Sequence, residues 1–354
     1  MTAVARAVVN RRRRSDHVPP PGADPMVFHQ RLRGYRPTPL RELTDAGSGA
    51  VWFKDESDRL GLPAFKILGA SWAVEQTLAA NPATDTLVAA SAGNHGRAVA
   101  HVAADRHLGC MIYLPRTVGE GRTAAILGEG AQLNRVDGDY DAAVASAGRA
   151  AREHGTALIA DTGTTASAGW VIEGYTTLFR EAAAQAPEPF DLIIVPVGVG
   201  SLAAAAVRFA VHYESAAAVV GVEPVTAACV TASLEADEPV TVPTPGTTMT
   251  GLDCATPSAT AWPTLRAGLA GTITVTDAET HRAMRELASV GITAGDCGAT
   301  TLAALHALRD GAGCRPLREA LRFDTATRVL CIGTEGATEP TAYRRTIEAA
   351  PPLT

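Results

Sequence analysis

Aromatic residues are scarce in this chain of 354 residues, since Phe, Tyr and Trp together make up only 5% of it. That scarcity argues against an aromatic-rich β-sandwich. Alanine is abundant and there are 33 glycines, which favours close packing of helices against a sheet. The formal net charge of −6 argues against a nucleic-acid-binding protein, so we expect no nucleic-acid partner.

Paired cysteines and long apolar runs are also missing. None of the six cysteines forms a CxxC pair, so the sequence indicates neither a metal site nor a disulfide scaffold. Reduced thiols in a cytoplasmic protein are the simplest interpretation. No apolar run approaches the roughly 20 residues that cross a bilayer, so we expect no membrane partner. The cysteines are Cys110, Cys229, Cys254, Cys297, Cys314 and Cys331.

The N-terminus carries a basic run, Arg11 to Arg14, followed by the proline-rich stretch 18–25. No apolar segment follows the arginines, so this is not a signal peptide. A tail that binds nucleic acid is one interpretation of such a run. The acidic balance of the whole chain favours the other, a flexible solvated arm over residues 1–26. The sequence leaves the role of the arginine run open.

Apolar runs typical of buried strands alternate with segments of helical spacing. This alternation predicts parallel βαβ units and therefore an α/β fold. The predicted strands lie within 50–56, 85–94, 110–115, 157–161, 191–200, 218–224 and 327–336, and the predicted helices are 67–80, 95–109, 122–131, 139–155 and 201–213.

One lysine, Lys66, stands in the apolar stretch LPAFKILGAS (62–71). Such a lysine can lie along an apolar surface and extend its charge to water. Alternatively, its amine is a nucleophile that attacks a carbonyl group. The stretch alone leaves both interpretations open.

Four polar or glycine-rich turns follow predicted strands, where α/β sheets bind their ligands. The turn GVGSL (198–202) suits an anion, because glycines let the backbone approach and a helix begins there. It lacks the residues of a nucleotide-binding loop, so a phosphate monoester fits better, and a plain packing turn is the alternative. SAGNHG (91–96) can hold a carboxylate in the same way. The other two turns are the Asp161 region and GTEG (333–336).

A lysine, a phosphate turn, a carboxylate turn and a hydroxyl, Thr334, are the parts that pyridoxal 5′-phosphate requires. Together the motifs resemble the fold-type II pyridoxal-phosphate enzymes, the group of threonine dehydratase, serine racemase and tryptophan synthase β. The similarity is greatest to the diaminopropionate ammonia-lyase family. The motifs are PTPL (37–40), KDESDRLGLPAFKILG (54–69), GNHGR (93–97), GYTT (174–177), VGVGS (197–201), VEP (222–224), GLDCATP (251–257) and GTEGATEP (333–340).

The resemblance implies a fold and a set of roles. It implies two domains, each with a mainly parallel twisted sheet flanked by helices: a large one from 27–81 and 166–354, and a small one, 82–165, that closes on the substrate. It also implies a homodimer. Lys66 would form the internal aldimine, and Asp161 would lie beside the substrate as a second catalytic residue. The other cofactor residues would be Asn94, Gly198, Val199, Gly200, Ser201, Leu202 and Thr334, and the substrate residues Ser91, Ala92, Gly93, Asn94 and His95.

The implied activity is β-elimination from an amino acid. Lys66 would remove the Cα proton, Asp161 would protonate the leaving group, and the resulting aminoacrylate would hydrolyse to a 2-oxo acid and ammonia. A β-replacement enzyme, in which a nucleophile captures the aminoacrylate, is one alternative. A catalytically silent pyridoxal-phosphate-binding protein is the other. By itself, His95 also fits a helix residue without a chemical role.

Two departures from the family pattern concern the substrate. The family usually reads TDGN where this chain reads SAGN (91–94), so its aspartate base is replaced by Ala92. We therefore expect selectivity for an L-amino acid and no racemase activity. The segment 161–175 is shorter than in the family and rich in small hydroxyl residues, and Asp253, Asp296 and Cys297 also differ. These changes leave open whether the pocket takes a diaminopropionate-like or a serine- or threonine-like amino acid.

Overall fold

The computed structural model of the protein describes residues 6–43, 49–213 and 216–349. They fall into two compact units. The first consists of Met1–Pro21, Arg33–Phe65 and Thr176–Thr354, and the second of Gly22–Leu32 and Lys66–Tyr175. The predicted domain limits, 27–81 with 166–354 and 82–165, stay a prediction.

Helices and strands alternate along most of the described chain. The strands are β1 (Arg6–Val9), β2 (Leu40–Leu43), β3 (Val51–Asp55), β4 (Thr86–Ala90), β5 (Gly109–Pro115), β6 (Gln132–Val136), β7 (Thr156–Leu158), β8 (Leu192–Pro196), β9 (Ala218–Pro224), β10 (Gly271–Val275) and β11 (Val329–Gly333). The α-helices are α1 (Met26–His29), α2 (Lys66–Ala80), α3 (Asn94–Asp105), α4 (Glu120–Gly128), α5 (Tyr140–Ala150), α6 (Ala166–Gln185), α7 (Ser201–His212), α8 (Cys229–Ala236), α9 (Trp262–Gly268), α10 (Asp277–Ser289), α11 (Asp296–Asp310), α12 (Arg315–Leu321) and α13 (Pro340–Glu348). Short 3-10 helices occupy Ser15–His17, Thr250–Leu252 and Ala312–Cys314.

The first unit is built on a seven-stranded sheet with the strand order β1-β10-β9-β8-β11-β3-β2. Its five inner strands are parallel, and the two edge strands, β1 and β2, run antiparallel to their neighbours. Every residue of β8, β10 and β11 is buried, as expected for parallel strands that are covered on both faces. This continuous burial is why these strands read as uninterrupted apolar runs or, in β10, as apolar residues mixed with threonine.

The second unit contains a four-stranded parallel sheet in the order β6-β5-β4-β7. Strand β4 lies between β5 and β7, with Val88 opposite both Met111 and Leu158. The loops that follow β4 and β7 therefore leave the same edge of the sheet side by side, because both strands point the same way. The predicted α/β fold class is confirmed.

The N-terminal segment differs from the solvated arm predicted for residues 1–26, of which 1–5 lie outside the described residues. Strand β1 pairs antiparallel with β10, with Arg6 opposite Thr274 and Val9 opposite Gly271. Asn10 continues the contact, since its side-chain amide donates to the carbonyl oxygens of Arg266 and Leu269. The segment thus covers what would otherwise be an open sheet edge.

Within the described ranges, no helix is long and apolar enough to cross a membrane.

Candidate active site

Lys66 is the first residue of α2, and its side chain is 23% exposed. Its Nζ atom donates a hydrogen bond of 2.8 Å to Oδ2 of Asp161, which lies in the loop between β7 and α6. Lys66 is therefore held by a carboxylate and does not extend along the surface into water. Lys66 and Asp161, the two predicted catalytic residues, therefore lie together.

Lysine is otherwise almost missing from this protein, whose only other lysine is Lys54. Lys54 is fully buried on β3, and its Nζ atom donates to Oε2 of Glu181 over 2.9 Å and to the carbonyl oxygen of Thr38 over 2.7 Å. An ammonium group that is enclosed and paired in this way cannot serve a ligand. Lys66 is thus the one lysine in the sequence that can react with an aldehyde.

Two buried rings lie beside the Lys66–Asp161 pair. The Nδ1 atom of His95 lies 3.9 Å from Oδ2 of Asp161, and His95 is 3% exposed. The ring centroid of Tyr175 lies 5.9 Å from Nζ of Lys66, and Tyr175 is fully buried. The second unit thus gathers three predicted residues together with Tyr175, to which the motifs alone assigned no role.

Glycines bring Tyr175 to the lysine. A Cβ atom at Gly69 would lie 2.5 Å from Cε1 of Tyr175, and one at Gly174 would lie 2.5 Å from the carbonyl oxygen of Leu68. The first turn of α2 and the middle of α6 can therefore touch only because both positions lack a side chain. The glycine of the LG pair after Lys66 and the GY pair of the GYTT motif were the sequence signal for this contact.

Electrostatics define the protonation state of Asp161. Burial raises the pKa of this carboxyl group, but the nearby charges of His95 and Lys66 outweigh burial and hold the pKa well below its usual range. Asp161 is therefore a carboxylate at neutral pH. Burial raises the pKa of Tyr175 above its usual value, so the phenol stays neutral beside the lysine.

The predicted substrate turn connects β4 to α3. Gly93 precedes the helix, which has no side-chain cap, so the backbone N–H groups of its first turn can bind an anion such as a carboxylate. The N–H group of Gly93 donates to Oγ of Ser91 over 3.2 Å. A Cβ atom at Gly96 would lie 2.4 Å from the carbonyl oxygen of Ser91, so the turn folds back tightly on the helix. Ala92 and Asn94 are half-buried in this turn.

The predicted phosphate turn lies in the first unit, between β8 and α7. Gly200 precedes the helix at φ +99°, a left-handed conformation that favours glycine, and α7 has no side-chain cap. A Cβ atom at Gly198 would lie 2.9 Å from the carbonyl oxygen of Gly251, and the carbonyl oxygen of Val199 accepts from the N–H group of Ser258. The helix start, at Ser201 and Leu202, is thus an uncapped N-terminus on a fixed turn, which fits a phosphate.

Thr334 directly follows β11, which is the parallel neighbour of β8. The phosphate turn and Thr334 therefore leave the same edge of the sheet. Thr334 is 4% exposed, and its buried Oγ1 atom has no hydrogen-bond partner in the described parts of the chain. A buried hydroxyl normally pairs, so this one fits a ligand atom such as a pyridine nitrogen. The first unit thus offers donors for both ends of pyridoxal phosphate.

A buried ionic cluster supports strand β3 and the loop after it. The Arg59 guanidinium donates to Glu56 over 2.6 Å and to Glu181 over 2.7 Å, and Lys54 binds the same Glu181. All four side chains are fully buried. The cluster thus gives the KDESDR part of the 54–69 motif a structural role. In the described ranges, no group of His, Cys, Asp and Glu side chains could hold a metal ion.

Comparison with known proteins identifies the family of this chain. The profile of the family described as "Pyridoxal-phosphate dependent enzyme" matches residues 31–321. Diaminopropionate ammonia-lyase of Salmonella typhimurium is 32% identical over 91% of this chain and 90% of the relative. The enzyme of that name from Escherichia coli strain K12 is also 32% identical, over 90% of this chain and 89% of the relative.

Solved structures show the same relationship. Diaminopropionate ammonia-lyase from Escherichia coli, in complex with an aminoacrylate-PLP azomethine reaction intermediate, superposes with a TM-score of 0.87 at 28% identity, covering 98% of this chain and 97% of that one. Threonine deaminase isoform 2 from Solanum lycopersicum shares the fold, with a TM-score of 0.78 at 20% identity over 98% of this chain and 93% of that one. The predicted cofactor, pyridoxal 5′-phosphate, is confirmed. The chain therefore belongs to the pyridoxal-phosphate-dependent enzymes of fold type II and, within them, to the family of diaminopropionate ammonia-lyase.

Proposed function

We propose that this pyridoxal-phosphate-dependent ammonia-lyase acts on an L-amino acid with a leaving group on Cβ and releases a 2-oxo acid and ammonia. The observation that carries the proposal is the pairing of Lys66, the one lysine able to react, with the carboxylate of Asp161 at 2.8 Å. The names of the relatives support the same reaction class.

We propose a partner in this chain for each polar group of the cofactor. The Lys66 amine would bond the aldehyde, and the backbone of Gly198 to Leu202 would bind the phosphate. Thr334 would meet the ring nitrogen, and Asn94 the ring oxygen. Pyridoxal phosphate, when bound, supplies an electron-withdrawing ring that acidifies the Cα proton of an amino acid.

Lys66 is the proton acceptor for Cα. Its Nζ atom is the basic group that the structure places at the start of α2, and a positioned base typically contributes about 10²–10⁴-fold to a proton transfer. The turn before α3 supplies no second base, because Ala92 carries only a methyl group and the Ser91 hydroxyl already accepts the Gly93 N–H group. One base approaches from one side only, which selects the L-isomer.

Asp161 is the proposed acid for the leaving group. It is ionised at neutral pH, because its pKa is held low by His95 and Lys66 against the effect of burial. An ionised carboxylate has no proton to give. Asp161 must therefore gain a proton during the reaction before it can protonate an amine or hydroxide that departs from Cβ.

The choice of substrate depends on the rebuilt loop before α6. Oγ of Ser167 accepts from the N–H group of Ala160 and lies 3.1 Å from Oγ1 of Thr165. These hydroxyls hold the loop to its own backbone. Diaminopropionate, serine and threonine each carry a leaving group on Cβ, and we propose these three as the first candidates.

Chemical trapping tests the role of Lys66. Borohydride reduction of the wild-type holoenzyme, followed by peptide mapping, is expected to attach the cofactor to Lys66 and not to Lys54. The Lys66→Ala variant is expected to show no attachment and no 2-oxo acid from any amino acid. Attachment at Lys54, or turnover by the variant, would contradict the proposal. Attachment at Lys66 in a protein that turns over no amino acid would indicate a silent binding protein.

Partners and compartment remain predictions. The family resemblance implies a homodimer, and cysteine usage indicates the cytoplasm. Light scattering on the purified holoenzyme measures the mass directly, and a value near 36.6 kDa, that of one chain, would overturn the dimer.

A further inference from the structure

His95 has a fixed orientation and a fixed tautomer. Its Nε2 atom lies 2.9 Å from the carbonyl oxygen of Ile159. A carbonyl oxygen only accepts hydrogen bonds, so Nε2 carries a hydrogen atom. In the neutral imidazole, Nδ1 would then carry a lone pair. This assignment follows from the partner and does not depend on a hydrogen position.

The surroundings of the Nδ1 atom disfavour a lone pair. The atom is buried, has no hydrogen-bond partner in the described parts of the chain, and faces Oδ2 of Asp161 at 3.9 Å. An unprotonated Nδ1 would set its buried lone pair against the Asp161 carboxylate, which is unfavourable. A proton on Nδ1, on the side that faces Oδ2, removes this repulsion.

We propose that His95 holds the proton that Asp161 needs in order to act as an acid on the leaving group. The inference rests on the proposed function and adds a positioning residue, since His95 acts through Asp161 and not on the substrate itself. The role also explains why an ionised Asp161 lies at a site that requires a proton donor.

The transfer is balanced in atoms and charge. The N–H bond at Nδ1 of His95 breaks and an O–H bond forms at Oδ2 of Asp161. That O–H bond then breaks as the departing amine or hydroxide takes the proton, and Asp161 returns to its carboxylate form. His95 is left neutral, with its Nε2 hydrogen still on Ile159, and a proton from solvent restores Nδ1. The transfer requires the 3.9 Å separation to shorten on substrate binding, as catalytic hydrogen bonds commonly do.

Few other charged groups face this pair within the second unit. Lys66 and Tyr175 border Asp161. On the helices around His95, several described charges have partners of their own: Glu75 of α2 pairs with Arg106, and Glu129, beyond α4, with Arg97 and His101 of α3. Asp105 lies beside His101, and Glu173 of α6 accepts from the indole N–H of Trp72.

Nuclear magnetic resonance on the holoenzyme tests the proton directly, without turnover. The protein is labelled with ¹⁵N-histidine, and the His95 signals are assigned by their loss in His95→Gln. At pH 6 we expect Nδ1 to carry a proton in the wild type and to be less protonated in Asp161→Asn, because the facing negative charge is gone. An unprotonated Nδ1 at pH 6 in the wild type, or the same titration in both proteins, would overturn the proposal.

Leaving-group dependence tests the role. Chloride departs without a proton, whereas an amine needs one. His95→Gln is expected to lower kcat for L-2,3-diaminopropionate by about 10²–10⁴-fold, the usual range for a lost proton donor, with much less effect on β-chloro-L-alanine. His101→Gln, on the same helix but paired with Glu129, should match the wild type.

The outcomes separate the two proposals. An equal loss for both substrates in His95→Gln would make His95 structural and overturn this inference. Failure of the wild type on every amino acid would instead overturn the proposed function, and the resonance experiment would still decide the state of His95. The absorbance of bound cofactor and the Tm of each variant show whether it folds and loads.

Discussion

The Tyr175 ring occupies the space that a side chain at residue 69 would need. A Cβ atom on Gly69 would lie 2.5 Å from Cε1 of the ring and 2.9 Å from Cγ1 of Val171. Because Gly69 is one turn beyond Lys66, this contact sets how α2 begins relative to α6. The packing beside Lys66 thus requires a glycine at position 69 of the motif.

Gly69→Ala is therefore expected to destabilise the protein, although alanine favours helices. Overpacking of this kind costs about 1–3 kcal/mol, which exceeds the roughly 1 kcal/mol that alanine gains over glycine inside a helix. Gly169→Ala, within α6 and with no atom within 4 Å of the added Cβ, is the matched control and should be neutral or stabilising. Urea unfolding measures both. Equal stability of the two variants would show that Tyr175 moves aside freely.

Glu181→Ala is expected to be strongly destabilising, because it leaves Lys54 and Arg59 buried with too little negative charge. Breaking a buried ion pair costs about 3–5 kcal/mol. Glu188→Ala is the control, since Glu188 is an exposed partner of Arg328 and such surface pairs contribute about 0–1 kcal/mol. The measurement is the free energy of unfolding. A loss below about 1 kcal/mol for Glu181→Ala would mean that water replaces the carboxylate in the cluster.

The low pKa of Asp161 predicts how stability depends on pH. A carboxyl group whose pKa is lowered by folding stabilises the protein above its unfolded pKa, near 3.9, and that stability is lost as the pH falls through the folded pKa. Wild type should therefore exceed Asp161→Asn by about 1–3 kcal/mol at pH 5–6, with the gap closing only below roughly pH 4. Urea midpoints between pH 3 and 6 measure it. A gap that closes between pH 6 and 5 would mean that burial dominates.

Ala92→Asp is expected to add turnover of a D-amino acid. The variant supplies a second carboxylate base in the turn before α3, where the resemblance places the family's aspartate. Ala92→Asn has the same shape without a strong proton acceptor and is the control. The readout is 2-oxo acid from D-2,3-diaminopropionate. No gain in the aspartate variant, with L-activity retained, would place Ala92 away from the reacting carbon.

The fold was predictable wherever a strand is a continuous apolar run. The predicted strand 218–224 coincides with β9, and the predicted helix 201–213 with α7, apart from its last residue. Strands β1 and β10 were not predicted. Strand β10 mixes threonine with its apolar residues, and β1 depends on a partner far along the chain. A short segment of this kind becomes a strand only when the neighbouring edge is there to pair with it.

Part of the site was predictable for a similar reason. Lys66 and the turns after β4 and β8 carry local signals of glycine and helix start, which the sequence displays. The contact of His95 with Asp161 has no such local signal in the sequence, because it requires that β7 lie next to β4. Strand order is a property of the folded sheet, so neither the ionised state of Asp161 nor its histidine partner could be deduced from the motifs alone.

The most direct test of the account is the turnover of the two isomers of 2,3-diaminopropionate by the wild-type holoenzyme. L- and D-serine and threonine are run in parallel, with 2-oxo acid and ammonia both quantified. Elimination with Lys66 as the single base predicts 2-oxo acid from the L-isomer and none from the D-isomer. One ammonia should accompany each 2-oxo acid formed from serine or threonine, and two should accompany each one formed from diaminopropionate. Equal turnover of the two isomers would contradict the account. So would a lasting change in cofactor absorbance without 2-oxo acid, which would point to β-replacement.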